Sequence, residues 1–322
     1  MTRRKFVGLS AAALAGTYAG IKLQKPPKLP DGPAGKSAVA IIRARSYSDD
    51  LVSRMLEGIR EVGLDVRGKR VLLKPNLVEF DAATVINTDA AVIAAALEVF
   101  QRLGAKEVKI GEGPGHRRDT LDLADDAKYR ANVPKFDSIF TDLNRDDVSP
   151  VGSFAGESEF YFPNTVLGAD LIVSLAKMKT HHWAGATLSM KNFFGVVPGS
   201  VYGWPKNKLH YLGIDESIVA LNRQFRSKAF AIVDGVIGME GNGPIQGTPK
   251  PAGVLVMGRD LVAVDATCAR VMGIDPEKMG YLRLAADLGH VHAERIEQRG
   301  ETIASVHTNF ALIDQYKGLR LA

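Results

Sequence analysis

The sequence predicts an α/β fold, a mainly parallel sheet or sheets with helices on both faces. Three observations carry that reading. Between Ser37 and Ile110, short apolar runs alternate with segments of helical periodicity. An apolar run from Ala169 to Leu175, bounded by turn signals, reads as a further buried strand. Charged or amide residues stand directly after predicted strands at Lys74 and Asn76, Glu112, Lys177 to His181, Asp234 and Asp260.

In chain order, residues 37–42 form a first strand. Ser48-Asp49-Asp50 caps a helix with apolar Val52, Met55, Ile59 and Val62, and Gly63 stops it. The next strand, from Arg70, ends on Lys74-Pro75-Asn76. Thr88-Asp89 caps an Ala-rich helix ended by Gly104, and the strand from Glu107 runs into Gly111-Glu-Gly-Pro-Gly115. Residues 117–165 are irregular and acidic, an insertion or lid over the site. Helices are predicted over 184–192, 216–223 and 261–272, and strands over 229–233 and 253–257. One more helix and short edge strands follow Pro276. The architecture expected is Rossmann-like lobes in one domain, residues 38–322. A leader (1–24) and a Pro/Gly linker (25–37) precede it.

The chain has 322 residues and a formal charge of +5. Six of its 41 basic residues lie in 1–30 with no acid, so 35 bases face all 36 acids in the rest. A near-neutral body lacks the basic footprint of a nucleic-acid binder. Cys268 is the single cysteine; it makes no internal disulfide and ligates no iron–sulfur cluster. The Thr2-Arg-Arg-Lys-Phe6 pattern followed by a short Ala/Gly-rich apolar core resembles a twin-arginine signal. The expected partner is the twin-arginine export machinery. The expected location is periplasmic, with the membrane reached only through an uncleaved leader.

The stretch from Ala176 to Gly199 holds Lys177, Lys179, Lys191, His181, His182 and Asn192. Open α/β sheets bind ligands outside the carboxyl ends of their strands. A lysine supplies a point charge, or a base when burial lowers its pKa, and a histidine transfers a proton near neutrality. Lys179, Lys191 and His181 are therefore the candidate catalytic set. His182, adjacent to His181, reads as a bystander. Lys74, Asn76, Lys177, Thr187, Asn192 and His210 are candidates to bind a small anionic ligand. Gly113 and Gly115 are candidates for a backbone nest. If 184–192 is helical, Thr187 and Lys191 lie four apart on one face. Glu112, Asp234 and Asp260 are candidate ligands for a divalent metal, although no HExxH, HxH or CxxC spacing occurs.

Lys74-Pro-Asn76, Thr88-Asp89, Gly111–Gly115, Lys177-Met-Lys-Thr-His181, Thr187–Gly195, Asp234-Gly235, Gly243-Pro244 and Asp260–Asp265 occur in this order. Together they resemble domain-of-unknown-function family 362 over about residues 38–300. Many members carry or neighbour ferredoxin-type cysteine clusters, which this chain lacks. A looser similarity is to nickel-dependent lactate racemases, which use lysine and histidine around a nickel-pincer nucleotide. The expected function is an enzyme acting on a small anionic organic molecule by Lys/His acid–base chemistry. The alternatives are a non-catalytic ligand- or cofactor-binding maturation protein and an electron-transfer partner.

Overall fold

The computed structural model describes residues 29–115, 118–204 and 206–321. The expected leader, residues 1–24, lies outside them. Among the described residues no helix is long and apolar enough to cross a membrane.

Eleven strands occur among those residues: β1 Ser37–Arg43, β2 Arg70–Pro75, β3 Glu107–Glu112, β4 Phe140–Asp142, β5 Val148–Pro150, β6 Tyr161–Pro163, β7 Leu171–His181, β8 Gly185–Thr187, β9 Ala229–Glu240, β10 Thr248–Gly258 and β11 Ile296–Gly300. Nine form one sheet in the order β11-β1-β10-β9-β7-β2-β3-β4, with β8 paired to β7. β5 and β6 make a separate hairpin. The sheet is mostly parallel, as expected; β10 and β8 run against the rest.

Helices cover both faces. Gly58, in helix Leu51–Val62, lies against Met257 of β10, while the next residue, Gly258, faces Val264 of helix Leu261–Val271. Adjacent strand residues point to opposite faces, so the two helices flank the sheet. One core cluster joins Leu171, Val173 and Leu175 of β7 to Met55, Ile59, Ile93 and Phe100.

The caps form as the sequence implies. The Asp50 carboxylate accepts from the Ser53 amide, and Gly63 closes that helix in the left-handed region at φ 66°. Asp89 caps helix Ala90–Arg102 through the Ala91 amide.

Four expectations are corrected. β10 is antiparallel to β9, so its carboxyl end, with Asp260, lies at the sheet edge opposite the ends of β2, β3, β7 and β9. β7 runs on through Lys177 and Lys179 to His181, because these polar side chains find buried partners. Residues 184–192 are not a helix: Gly185–Thr187 turns back as β8, and a 3-10 helix follows over Lys191–Val196. Residues 117–165 contribute β4 to the sheet itself, so they are framework rather than only a lid.

Candidate functional site

The strands β2, β3 and β7 run in parallel, so their carboxyl ends share an edge. A cavity of about 680 Å³ opens there. Lys74, Asn76, Glu112, Gly113, Gly115, His181, Thr187, Lys191, Asn192 and His210, all singled out from the sequence, line it.

Its floor is a saturated network. Lys74 Nζ donates to Glu112 Oε2 at 2.6 Å, Asn192 Oδ1 at 3.2 Å and the Pro75 carbonyl at 3.0 Å. Glu112 also accepts from the Gly113 amide at 2.8 Å and the Leu77 amide at 3.3 Å. Burial pushes its carboxyl up, while the Lys74 ammonium pulls it back. Both carboxylate oxygens meet donors, which suits the ionised form. The Asn192 amide donates to the Lys74 carbonyl and Ser174 Oγ, and accepts from Asn76 Nδ2. Lys74, Glu112 and Asn192 thus hold one another. The Gly113 amide is spent on Glu112 and does not contribute to an anion nest.

Gly195 passes close over this pair: a Cβ there would land on the Glu112 carboxylate and the Lys74 amine. Gly195→Ala is expected to cost about 1–3 kcal/mol by forcing them apart. A urea unfolding curve measures it, and an unchanged midpoint contradicts the close approach.

Two groups at the cavity remain unspent. His181 is buried at the end of β7, and the turn of residues 182–184 aims its amides back at the ring. Nδ1 accepts from the Trp183 amide at 3.0 Å and the Ala184 amide at 3.2 Å. The neutral ring therefore carries its proton on Nε2, which has no hydrogen-bond partner among the described residues. Burial first, then the Lys191 charge, drives the His181 pKa down to about 2. His181 is thus a fixed neutral N–H donor at physiological pH, the role a depressed imidazole plays in polarising a carbonyl.

Lys191 is the second. Its Nζ lies 3.4 Å from the centroid of the Phe194 ring and has no hydrogen-bond or ion-pair partner among the described residues. Burial, reinforced by the Lys74 charge, lowers its pKa to about 7. A cation–π contact is worth about 0.5–1 kcal/mol when exposed and about 2 kcal/mol when desolvated, at ~1.36 kcal/mol per pKa unit, so it offsets only part of the fall from 10.5 to about 7. The ring therefore does not restore an ordinary lysine.

Two buried polar atoms at the cavity also lack partners among the described residues, Asn76 Oδ1 and Thr187 Oγ1. Thr187 and Lys191 reach one cavity through a β-hairpin and a 3-10 turn, not through a shared helical face.

Other candidates lie elsewhere. Lys177 is buried against Asp234 Oδ2 at 2.9 Å and the Tyr47 hydroxyl at 2.7 Å. Lys177 and Tyr47 border a larger cavity of about 920 Å³. Lys179, expected to be catalytic, does not line the 680 Å³ cavity. Its Nζ donates to the carbonyls of Ile86 at 2.7 Å and Pro244 at 3.2 Å. Asp260 caps helix Leu261–Val271 at the far edge and accepts from Ser37 Oγ at 2.7 Å and the His290 amide at 2.9 Å. Glu112, Asp234 and Asp260 therefore do not converge. Among the described residues no three His, Cys, Asp or Glu side chains are placed to hold a metal ion.

Several site residues were not among the candidates. Lys206, fully buried, donates to Asn144 Oδ1 at 2.9 Å and to the Val197 carbonyl. Burial lowers its pKa to about 7. Asn144 also accepts from the Gly199 amide, tying Gly199 and Lys206 to the segment after β4. Trp183 and Phe194 flank His210, with ring centroids 5.6 and 6.1 Å away. His182 lines the cavity too, and its Nδ1 bonds to the Gly243 carbonyl at 2.8 Å, so in the neutral ring the lone pair is on Nε2. Its adjacency to His181 had argued against it, but the turn brings both rings to one wall, 5.1 Å apart.

These features define an α/β protein with a lysine-rich cavity at the parallel strand ends. The chain belongs to the family described as Domain of unknown function (DUF362), which matches residues 71–270. It is similar to Thylakoid-associated protein sll1697 of Synechocystis sp. (strain ATCC 27184 / PCC 6803 / Kazusa), at 27% identity over 274 residues, 78% of this chain and 82% of that one. Among solved structures, the lactate racemase apoprotein from Thermoanaerobacterium thermosaccharolyticum aligns at 14% identity and TM-score 0.45, over 78% of this chain. A Thermotoga maritima protein aligns at 16% identity and TM-score 0.44, over 70% of this chain. The chain spans 60% and 59% of those two solved chains.

Proposed function

We propose that this protein is an enzyme that moves a proton on a small organic acid bearing a carbonyl or hydroxyl group. One observation carries the reading: the Lys191 amine and the His181 Nε2–H, both without a protein hydrogen-bond partner among the described residues, border the same cavity. A neutral imidazole N–H suits a substrate oxygen that gains charge. An amine with a pKa of about 7 takes and returns a proton at neutral pH. Lys74, Lys191 and Lys206 bring cationic character to the cavity, and Glu112, the carboxylate among its described lining residues, is already paired with Lys74, which favours an anionic substrate. Asn76 Oδ1 and Thr187 Oγ1 supply further hydrogen bonds.

The described side chains do not fit a metal centre. His181 Nδ1 is taken by two amides and Glu112 is held by Lys74. The twin-arginine-type leader supports export to the periplasm as part of the same proposal.

The test is deuterium incorporation from heavy water into small 2-oxo and 2-hydroxy acids, followed by mass spectrometry. The wild-type protein is expected to catalyse exchange, and His181→Ala to slow it by about 10²–10⁴-fold. A ligand carrier would show affinity losses only. Exchange that is absent in the wild type, or unaffected by His181→Ala, overturns the assignment.

A further inference from the structure

Five lysines cluster behind or around this sheet edge, and four have found oxygen acceptors. Lys74 meets Glu112, Lys177 meets Asp234, Lys179 meets two carbonyls, and Lys206 meets Asn144 and a carbonyl. Lys191 alone among them has none within the described residues; its amine rests on the Phe194 ring and borders the open cavity. An ammonium kept only for its charge is normally placed against an acceptor. A half-buried amine without one, at the wall of a cavity, is free to present its lone pair to a bound molecule.

The same cavity holds the group an amine nucleophile needs beside it. The His181 Nε2–H is fixed as a donor by the two amides on Nδ1. It can hydrogen-bond the oxygen of a carbonyl whose carbon faces Lys191. Thr187 Oγ1, unpartnered and buried, offers a second polar contact to the same small molecule.

We infer that Lys191 is a covalent nucleophile that forms a Schiff base with the carbonyl carbon of a small 2-oxo acid. This rests on the reading of the cavity as a site for carbonyl-bearing acids and names the substrate class within it. The amine lone pair attacks the carbonyl carbon, a C–N bond forms and the C=O π electrons move to oxygen. That oxygen, hydrogen-bonded by His181, gains a proton from the attacking nitrogen through solvent. The resulting hydroxyl leaves as water after a second proton transfer from the nitrogen, and the C=N bond closes. The net change is amine plus ketone to imine plus water, with no change in oxidation state. Uptake of a proton from solvent at the imine nitrogen gives an iminium, which withdraws electrons from the adjacent carbon and eases loss of its proton.

The low basicity of Lys191 supports the chemistry. An amine titrating near 7 holds on the order of 10²–10³ times more free base at neutral pH than an ordinary lysine near 10.4.

The experiment uses the full chain, pyruvate and sodium cyanoborohydride at pH 7, with peptide mapping by mass spectrometry. Hydride adds to the imine carbon and leaves a secondary amine, so the modified lysine gains pyruvic acid less one oxygen atom. The adduct is expected on Lys191, about tenfold faster than on exposed lysines such as Lys36 or Lys106. Labelling should rise as pH increases through about 7. Lys191→Arg should lose the adduct, and its circular dichroism melt establishes that it is folded. Should that variant not fold, the wild-type map alone decides the matter. Adduct spread evenly over exposed lysines, or none on Lys191, overturns the inference. Deuterium exchange without an adduct leaves Lys191 as a base only and also overturns it, while leaving the proton-transfer function intact. An adduct on Lys191 without exchange upholds the nucleophile and removes the proton-transfer reading.

Discussion

Lys74→Met should lower the unfolding free energy by about 3–5 kcal/mol, the cost of stranding a buried charge. Lys74 and Glu112 are both buried, with relative exposures of 0% and 1%. Their 2.6 Å contact is the centre of the cavity floor. Without the ammonium, Glu112 keeps only the Gly113 and Leu77 amides and must take up a proton to stay inside. The Asn192 carboxamide loses a donor at the same time. Removing both charges, as Lys74→Met with Glu112→Leu, should cost less than Lys74→Met alone, because no unpaired charge remains. Two amides would still lack an acceptor, so about 1–3 kcal/mol of loss should persist. Urea titration of both variants reads the difference. Equal losses in the single and double variants would mean that the pair is not coupled.

Asp265→Asn should destabilise the fold by about 2–4 kcal/mol and also slow the proposed proton exchange. The Asp265 carboxyl is fully buried in helix Leu261–Val271. It accepts from the Ser189 amide at 2.8 Å, Ser189 Oγ, the Met190 amide at 3.1 Å and the Tyr281 hydroxyl at 3.1 Å. Ser189 and Met190 lead directly into Lys191, so Asp265 is a positioning residue for the amine. A carboxamide turns N–H groups towards donors and lets the segment drift. Burial raises the Asp265 pKa to about 7, against the pull of Ser189 and Met190. A raised carboxyl pKa contributes stability that is full below the unfolded value near 4 and lost as pH rises through about 7. Wild-type stability should carry that decline, and the Asn variant should lack it. A merely structural contact would lower the melting temperature of the Asn variant while leaving its exchange rate unchanged.

Much of the frame was legible because its signals are local. Asp50 with Gly63, and Asp89 before an Ala-rich run, are short-range cap patterns, and both helices form there. The strand ends at Lys74 and Glu112 also follow from apolar runs meeting polar residues. The direction of β10 was not legible. Gly253-Val-Leu-Val-Met reads alike in a parallel or an antiparallel neighbour, and the turn after β9 that reverses it looked only like a glycine-rich loop. Asp260 was misplaced for that reason alone. Lysines on β7 likewise resemble a loop until their partners are known, and Asp234 lies 57 positions from Lys177. The roles of His181 and Lys191 depended on burial and on what each neighbour already held. Amides two and three residues beyond His181 fix its tautomer, which no spacing rule records.

Lys179 has a mechanical meaning beyond its absence from the cavity wall. Its amine joins the carbonyl of Ile86, at the border of the larger cavity, to that of Pro244, at the border of the smaller one. Burial, then the Lys177 and Lys191 charges, pushes the pKa of this amine well down, and the side chain has no exposed surface. Pulling either segment away alone leaves a buried donor unmet, at about 1–3 kcal/mol. The loop carrying Ile86 and the turn carrying Pro244 are thereby yoked: displacement of one is cheapest when the other travels with it. The rims of two separate chambers share this tether, beside the bond from the Thr84 hydroxyl to the Gly247 carbonyl at 2.7 Å.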